Sequence, residues 1–180
     1  MQIRCALVGM PGSGKSTVGR QLAHRAGVPF IDLDHRLERI IGTSIRSFFE
    51  EHGEARFRDL ESEVLADLAR ADGSGMVLST GGGAVLRAEN RAVLRQFGTV
   101  LYLRAAPEEI YKRVKHDKTR PLLQGGNPLD KLRDLYAQRD GLYRATAHYV
   151  IETGRPTVHT LVNMIMMQLE MAGQAPEKQI

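Results

Sequence analysis

The segment GMPGSGKS, residues 9–16, has the residue types and spacing of a loop that binds phosphate. It fits the pattern G-x-x-x-x-G-K-[ST], and it stands between a strand-like apolar run and a helical pattern, as such loops do. In these loops backbone N–H groups turn toward the phosphates, the lysine reaches the β- and γ-phosphates, and the hydroxyl ligates Mg²⁺. We therefore predict a nucleoside triphosphate site in residues 9–17, formed by Gly12, Ser13, Gly14, Lys15, Ser16 and Thr17.

Two aspartates lie at the end of the next apolar run, in PFIDLD at residues 29–34. If this run is a strand, Asp32 and Asp34 lie on the same side of an extended segment. Asp32 is the candidate metal ligand, directly or through water, and capping of a following helix is the alternative role. Asp34 would reach further out, toward the hydroxyl of an acceptor molecule.

A second group of residues could bind an anion away from the phosphate loop. Arg58 and Glu61 are three residues apart in FRDLE, which makes them neighbours on one helical face. Glycines 81–83 follow the apolar run MVLS and offer backbone N–H groups without side chains. Arg120 in RPLL and Arg139 in QRDGLYR add guanidinium groups, which suit carboxylate and phosphate. The alternatives are a surface ion pair for Arg58 and Glu61 and a solvated helix position for Arg139.

The elements that position these residues alternate along the chain. Strand-like runs at 3–9, 29–34, 76–79, 99–104 and 148–153 are separated by segments with apolar residues at helical spacing. This alternation predicts a parallel sheet covered on both faces, with ligands at the carboxyl ends of the strands. Residues about 116–129 have little periodicity, which is typical of a functional or a disordered loop, and residues about 173–180 are expected to be a flexible tail.

The composition narrows the class of protein. The 180 residues fit one domain, and the net charge of +4 comes mostly from scattered arginines rather than from a basic stripe with aromatics, so we expect no nucleic-acid partner. No apolar run approaches the roughly 20 residues that span a bilayer. The start MQIRCALVGM has no signal-peptide pattern, and the single cysteine, Cys5, suits a reducing compartment, so we expect a cytoplasmic protein without a membrane partner. Nothing in the sequence demands an oligomer, and a monomer is expected.

Six segments together resemble shikimate kinase: GMPGSGKSTVGRQLA, DLD, FRDLE, STGGGAV, RPLL and RDGLYRATA. They occur in the family's order and span residues 9 to about 153. The resemblance implies an α/β P-loop NTPase fold of the nucleoside monophosphate kinase type, with a central five-stranded parallel sheet, helices on both faces and a mobile lid at about 116–129. It also implies ATP-dependent phosphorylation of the 3-hydroxyl of shikimate, a step of chorismate and aromatic amino-acid biosynthesis, with one Mg²⁺ ion.

The resemblance assigns the acceptor site residue by residue. Asp34 would bind the shikimate hydroxyls and stand nearest the one that attacks. Arg58 and Arg139 would clasp the shikimate carboxylate, and Glu61 would orient Arg58. The same pocket would be lined by the backbone N–H groups of Gly81, Gly82 and Gly83.

The resemblance also assigns the nucleotide and transfer residues. Lys15 and Arg120, the latter from the lid, would neutralise charge on the transferring phosphoryl group, with the metal on Ser16 and Asp32. Arg113 would lie over the adenine, and Arg155 would contact it from the loop after the last strand. That loop, IETGRPTV, is shorter than the family pattern leads us to expect.

Three other functions share the phosphate loop. A related small-molecule kinase, such as a gluconate kinase, would also have a lid, and a nucleoside monophosphate kinase would need a base-recognising pocket that the sequence does not reveal. A non-catalytic ATP-binding regulator would have no use for an arginine-bearing lid and a second anion site. The joint presence of Arg58, the three glycines and Arg139 favours shikimate.

Overall fold

A computed structural model of the protein describes residues 2–116 and 125–174, which form five strands and eight helices. The strands are β1 (Arg4–Val8), β2 (Phe30–Asp32), β3 (Met76–Ser79), β4 (Thr99–Arg104) and β5 (Tyr149–Glu152). The helices are α1 (Lys15–Ala26), α2 (Leu33–Ile41), α3 (Ile45–His52), α4 (Glu54–Arg70), α5 (Ala88–Phe97), α6 (Pro107–Val114), α7 (Pro128–Thr146) and α8 (Val158–Gln174).

The five strands form one parallel sheet in the order β2-β3-β1-β4-β5. Leu7 of the central strand pairs with Ser79 on one side and with Leu101 on the other. Because all strands run in the same direction, the residues that follow β1, β2 and β3 meet at one edge of the sheet. This arrangement confirms the predicted five-stranded parallel sheet and brings the phosphate loop, the aspartates and the glycine turn together.

Helices cover both faces of the sheet, as predicted, because each central strand is apolar on both sides. Along β1, Ala6 and Val8 belong to one hydrophobic core, while Cys5 and Leu7 belong to the other. The first core packs against helices α2, α4, α5, α6 and α7, and the second packs against α1 and α8. Cys5 has no exposed surface, and burial raises the pKa of its thiol to about 12, which agrees with a structural role.

The predicted strand at 29–34 is too long, and the relation inferred for its two aspartates is wrong. Strand β2 ends at Asp32, whose carboxylate accepts a hydrogen bond from the backbone N–H of His35 and so caps α2. Asp34 therefore lies in the first turn of a helix rather than in an extended segment. The short helices α2, α3 and α6 were not predicted.

The bounds of the predicted loop at about 116–129 and of the predicted tail at about 173–180 can be compared with helices α7 and α8. Asn127 caps α7 by accepting hydrogen bonds from the N–H groups of Leu129 and Asp130, so Pro128 and Leu129 are helical. Helix α8 continues to residue 174, close to the start predicted for the tail. Residues 117–124, with Arg120, and residues 175–180 lie outside the described residues. None of the helices in the described ranges is both long and apolar enough to cross a bilayer.

Candidate active site

The phosphate loop lies between β1 and α1, and two glycines give it its shape. Gly12 and Gly14 have φ values of 79° and 93°, a left-handed conformation that disfavours other residues. The side chain of Lys15 is 7% exposed, and its Nζ donates hydrogen bonds of 2.8 Å to the carbonyl oxygens of both Gly9 and Met10. Lys15 thus spans the loop and holds its charge over the concave side where phosphates bind.

Ser16 and Asp32 bring two side-chain oxygen atoms together beside the loop. The Ser16 hydroxyl donates a hydrogen bond of 2.8 Å to Asp32 Oδ2, while Asp32 Oδ1 caps α2. Asp32 therefore caps a helix, which is one of the two roles that the sequence left open, and it places its other carboxylate oxygen beside Ser16. Among the described residues no cluster of three or more metal-ligating side chains is present. A hydroxyl and one carboxylate fit Mg²⁺, which usually binds one or two protein ligands together with water and phosphate oxygens.

Two cavities meet next to the phosphate loop. The first, of about 310 Å³, contains the loop and both aspartates. The second, of about 640 Å³, contains Arg58, Arg139 and the glycine turn. Their shared lining residues are Pro11, Asp34, Gly81 and Gly82. Asp34 is the ionisable residue in this shared wall, so its carboxylate can face both a phosphate and a second molecule.

Asp34 is partly buried and has both positive and negative groups around it. Burial raises the pKa of its carboxyl above the ordinary value, and the nearby charges of Lys15 and Arg58 partly oppose this increase. A Cβ at position 81 would overlap the Asp34 carboxylate, so glycine is required for the carboxylate to lie against the turn. The structure therefore places Asp34 directly over Gly81.

Arg58 is an oriented guanidinium rather than a surface ion pair, since its side chain is 12% exposed. Its Nη1 donates to Glu61 Oε1 at 2.9 Å, and both Nε and Nη2 donate to Glu54 Oε1 at 3.3 and 3.1 Å. Arginine has five N–H donors, so one remains on each Nη. Two such donors suit one planar anion.

Glu61 lies behind Arg58, with 0% of its surface exposed. Burial raises the pKa of its carboxyl, and the adjacent Arg58 lowers it in part by charge and hydrogen bonding. Glu61 Oε2 is buried without a hydrogen-bond partner among the described residues. A buried carboxylate is costly without a positive partner, so moving Arg58 away from Glu61 would be unfavourable. Glu61 therefore fixes the position of the Arg58 guanidinium.

The three glycines of the turn let neighbouring side chains come close to the backbone. They are not required by the backbone conformation, because none of Gly81, Gly82 and Gly83 has a positive φ. Thr80 anchors the turn, since its hydroxyl donates to the Leu7 carbonyl at 2.9 Å. A Cβ at position 83 would overlap the Arg58 guanidinium. Within the described ranges, the three glycine N–H groups donate no hydrogen bond.

Arg139 lies on α7 and lines the second cavity. It is therefore not a solvated residue on the helix surface, which was the alternative. Its Nε is buried and has no hydrogen-bond partner in the described part of the chain. Its charge lowers the pKa values of Glu61 and Tyr143 in part, so the guanidinium lies near both groups. Arg58 and Arg139 thus supply two positive charges to one cavity.

Two residues predicted to contact the nucleotide, Arg113 and Arg155, lie outside the phosphate loop. Arg113, on α6, donates hydrogen bonds to the carbonyl oxygens of Ser13 and Thr153 at 3.3 and 3.2 Å. It therefore connects the phosphate loop to the loop after β5, where Arg155 lies in an exposed bend. Arg120 lies outside the described residues.

Several lining residues of the second cavity were missed by the sequence analysis. Ile45 and Phe49 come from α3, and Phe57 comes from α4. The signal for α3 was present in Ser44, which caps the helix through the Ser47 N–H, and in Gly53 at its end. Tyr143, which does not line the cavity but contacts the glycine turn, was also missed, although it follows Arg139 by four residues on one helical face.

Comparisons with known proteins agree with this geometry. The shikimate kinase family model matches residues 11–170. A shikimate kinase from Paracidovorax citrulli is 57% identical over 176 residues, which cover 97% of this chain and 96% of that protein.

Solved structures show the same relation. A shikimate kinase from Acinetobacter baumannii in complex with shikimate has a TM-score of 0.87 and 44% identity, covering 96% of this chain and 95% of that one. A gluconokinase from Sinorhizobium meliloti, with a TM-score of 0.55 and 16% identity over 95% of this chain and 93% of that one, shares the fold alone. The sequence matches extend over nearly the whole chain and include both cavities, and the chain belongs to the shikimate kinase family.

Proposed function

We propose that the protein transfers the γ-phosphoryl group of ATP to the 3-hydroxyl of shikimate, giving ADP and shikimate 3-phosphate, a step of aromatic amino-acid biosynthesis. The observation that carries this proposal is the shared wall of the two cavities, where Asp34 faces both. An acceptor in the larger cavity would present a hydroxyl to the end of the triphosphate without entering the phosphate loop. This geometry favours direct transfer between two bound substrates.

The acceptor is held through its carboxylate and its hydroxyls. Arg58, with one N–H left on each Nη, and the half-buried Arg139 bind the carboxylate. Glu61 orients Arg58, and the N–H groups of Gly81, Gly82 and Gly83 line the pocket. Asp34 binds the hydroxyls on the phosphate side. The two arginines favour a carboxylate-bearing ring over the neutral end of a sugar.

The transfer step relies on positioning and charge stabilisation. The acceptor hydroxyl oxygen forms a bond to the γ-phosphorus as the bond to the β–γ bridging oxygen breaks, and the bridging oxygen leaves with ADP. The hydroxyl proton passes to the Asp34 carboxylate, whose raised pKa makes it a better proton acceptor than an exposed aspartate. Lys15 neutralises charge on the phosphoryl oxygens, and we assign the same role to Arg120 on the basis of the resemblance.

ATP-dependent transfer generally uses a divalent cation, and we infer one Mg²⁺ ion. Ser16 and Asp32 would hold it, the latter directly or through water. When bound, such an ion neutralises charge on the β- and γ-phosphate oxygens. Gly12, Ser13, Gly14 and Thr17 complete the phosphate site around Lys15.

Arg113 and Arg155 are proposed to contact the adenine. Support comes from the position of Arg113, whose guanidinium connects the phosphate loop to the loop that carries Arg155. We further propose a cytoplasmic monomer, folded as one domain over residues 1–180, without nucleic-acid or membrane partners. The single buried cysteine fits a reducing compartment.

Turnover with an acceptor panel tests this function. Purified protein with ATP and Mg²⁺ is incubated separately with shikimate, gluconate and a nucleoside monophosphate, and ³¹P NMR follows the products. We expect a phosphate monoester signal with shikimate alone. Transfer to gluconate or to the nucleotide, or hydrolysis of ATP that is independent of shikimate, would contradict the proposal.

A further inference from the structure

Tyr143 lies directly behind the glycine turn, and the reaction proposed above does not use it. The residue has no exposed surface, and its ring lies 5.0 Å from that of Tyr102 between centroids. Its hydroxyl donates a hydrogen bond of 2.6 Å to the carbonyl oxygen of Gly82. Burial raises the pKa of this hydroxyl to about 12, so it remains a protonated donor at neutral pH.

The hydrogen bond fixes the orientation of one peptide plane. The Gly82 carbonyl and the Gly83 N–H belong to the same trans peptide and point in opposite directions. Because the carbonyl points toward the buried hydroxyl, the Gly83 N–H points away from it. Gly83 lines the second cavity beside the Arg58 guanidinium, and its N–H donates to no other group in the described part of the chain.

A peptide between two glycines needs such a constraint. Glycine populates positive and negative φ with similar ease, so the plane can rotate with little steric resistance. Rotation would turn a carbonyl oxygen, rather than an N–H, toward an oxygen-rich substrate. The carbonyls of Gly81 and Gly83 are held by the backbone N–H groups of Ala84 and Leu86, whereas that of Gly82 is held by a side chain.

We propose that Tyr143 is a positioning residue, which locks the Gly82–Gly83 peptide with its N–H toward the acceptor and thereby raises the affinity for it. This inference rests on the proposed function, since the acceptor is the molecule that the N–H contacts. Tyr143 acts through the peptide and does not itself touch the reacting atoms. Its hydroxyl also lies near the Arg139 guanidinium on the same helix, so the Gly83 amide signal described below, and not the KM alone, separates the lock from an effect through Arg139.

Tyr143→Phe removes the hydroxyl and keeps the ring, and Tyr102→Phe is its matched control. Tyr102 is equally buried, but its hydroxyl donates to Asp140 at 2.7 Å rather than to the turn. We expect Tyr143→Phe to raise the KM for shikimate about 3- to 10-fold, the value of one buried hydrogen bond, with the KM for ATP unchanged. Tyr102→Phe should change neither KM, and thermal unfolding establishes that both variants are folded.

An unchanged shikimate KM in folded Tyr143→Phe, or an equal rise in both variants, would overturn the lock. A second measurement does not depend on any variant: the amide proton of Gly83 in the wild-type protein should shift downfield when shikimate is added. An unaffected Gly83 amide would also refute the proposal. Wild-type turnover in the same series tests the proposed function separately. Absence of phosphoryl transfer to shikimate would contradict that function. Normal transfer with an unaffected Gly83 amide would contradict only the role of Tyr143.

Discussion

Gly83→Ala adds a single methyl group at the centre of the acceptor cavity. Its Cβ would come within 2.6 Å of Arg58 Nη1 and would overlap Cζ and Nη2. The backbone itself tolerates alanine, since Gly83 does not have a positive φ. Arg58 must therefore move, and in moving it loses its alignment with Glu61 and with the acceptor carboxylate.

The expected magnitude follows from the contacts that are lost. Arg58 has one N–H left on each Nη for the acceptor, and we expect its displacement to cost the equivalent of one hydrogen bond to a charged group, about 1.5–3 kcal/mol. Since about 1.4 kcal/mol corresponds to a tenfold change, we expect the KM for shikimate to rise about 10- to 150-fold. The KM for ATP should be unchanged, because Gly83 does not line the phosphate cavity.

Steady-state kinetics in a coupled ADP assay, with thermal unfolding of each variant, measures this effect. Gly141→Ala is the matched control, since a Cβ on that α7 glycine meets nothing within 4 Å. Alanine there should leave both KM values unchanged and raise stability slightly. A folded Gly83→Ala protein with the wild-type shikimate KM would refute the assignment of Arg58, as would an equal effect of the control.

Three further predictions concern the charges around both cavities. Lys15→Ala should lower kcat about 100-fold or more while the protein remains folded, whereas Lys112→Ala, on the exposed side of α6, should not. Near-normal turnover by folded Lys15→Ala would contradict the phosphate site. Arg139→Lys should raise the shikimate KM about 30-fold, the low end for a buried charge pair, with ATP binding retained. Arg133→Lys, exposed on the same helix, should change neither KM, and equal behaviour of the two variants would contradict the clasp. Finally, kcat/KM for shikimate should fall on acidification at a pH above that at which exposed aspartates titrate, because burial raises the pKa of Asp34 and the reaction uses its ionised form; a profile that is flat down to about pH 4 would exclude this role.

Much of the sheet could be predicted because its strands are buried on both faces. The apolar runs MVLS and TVLYLR give strands with the predicted bounds, at Met76–Ser79 and Thr99–Arg104. The helices α2, α3 and α6 have only eight or nine residues, which is two turns, so their periodicity is weak. Their caps were the stronger signal, as Ser44 before α3 and Pro107 at the start of α6 illustrate.

The residues of the site were easier to predict than their contacts. Lys15 and Ser16 follow from a motif whose spacing requires one backbone shape. That Asp34 lies over Gly81, or that Arg58 lies over Gly83, depends on how α2 and α4 pack against the turn after β3. Such contacts join residues far apart in the sequence, and no local pattern encodes them. The contact of Tyr143 with Gly82 is of the same kind, since 61 positions separate the two residues.

The most direct test of the account compares shikimate with its methyl ester in the wild-type enzyme. The ester has the same ring and hydroxyls, but it leaves the Arg58 and Arg139 guanidinium groups without an anion. We predict that kcat/KM for the ester is lower than that for the acid by at least about 30-fold, with the KM for ATP unchanged. If the ester is phosphorylated as efficiently as the acid, the cavity does not recognise a carboxylate, and the central claim, that two arginines hold the acceptor by that group beside Asp34, is contradicted.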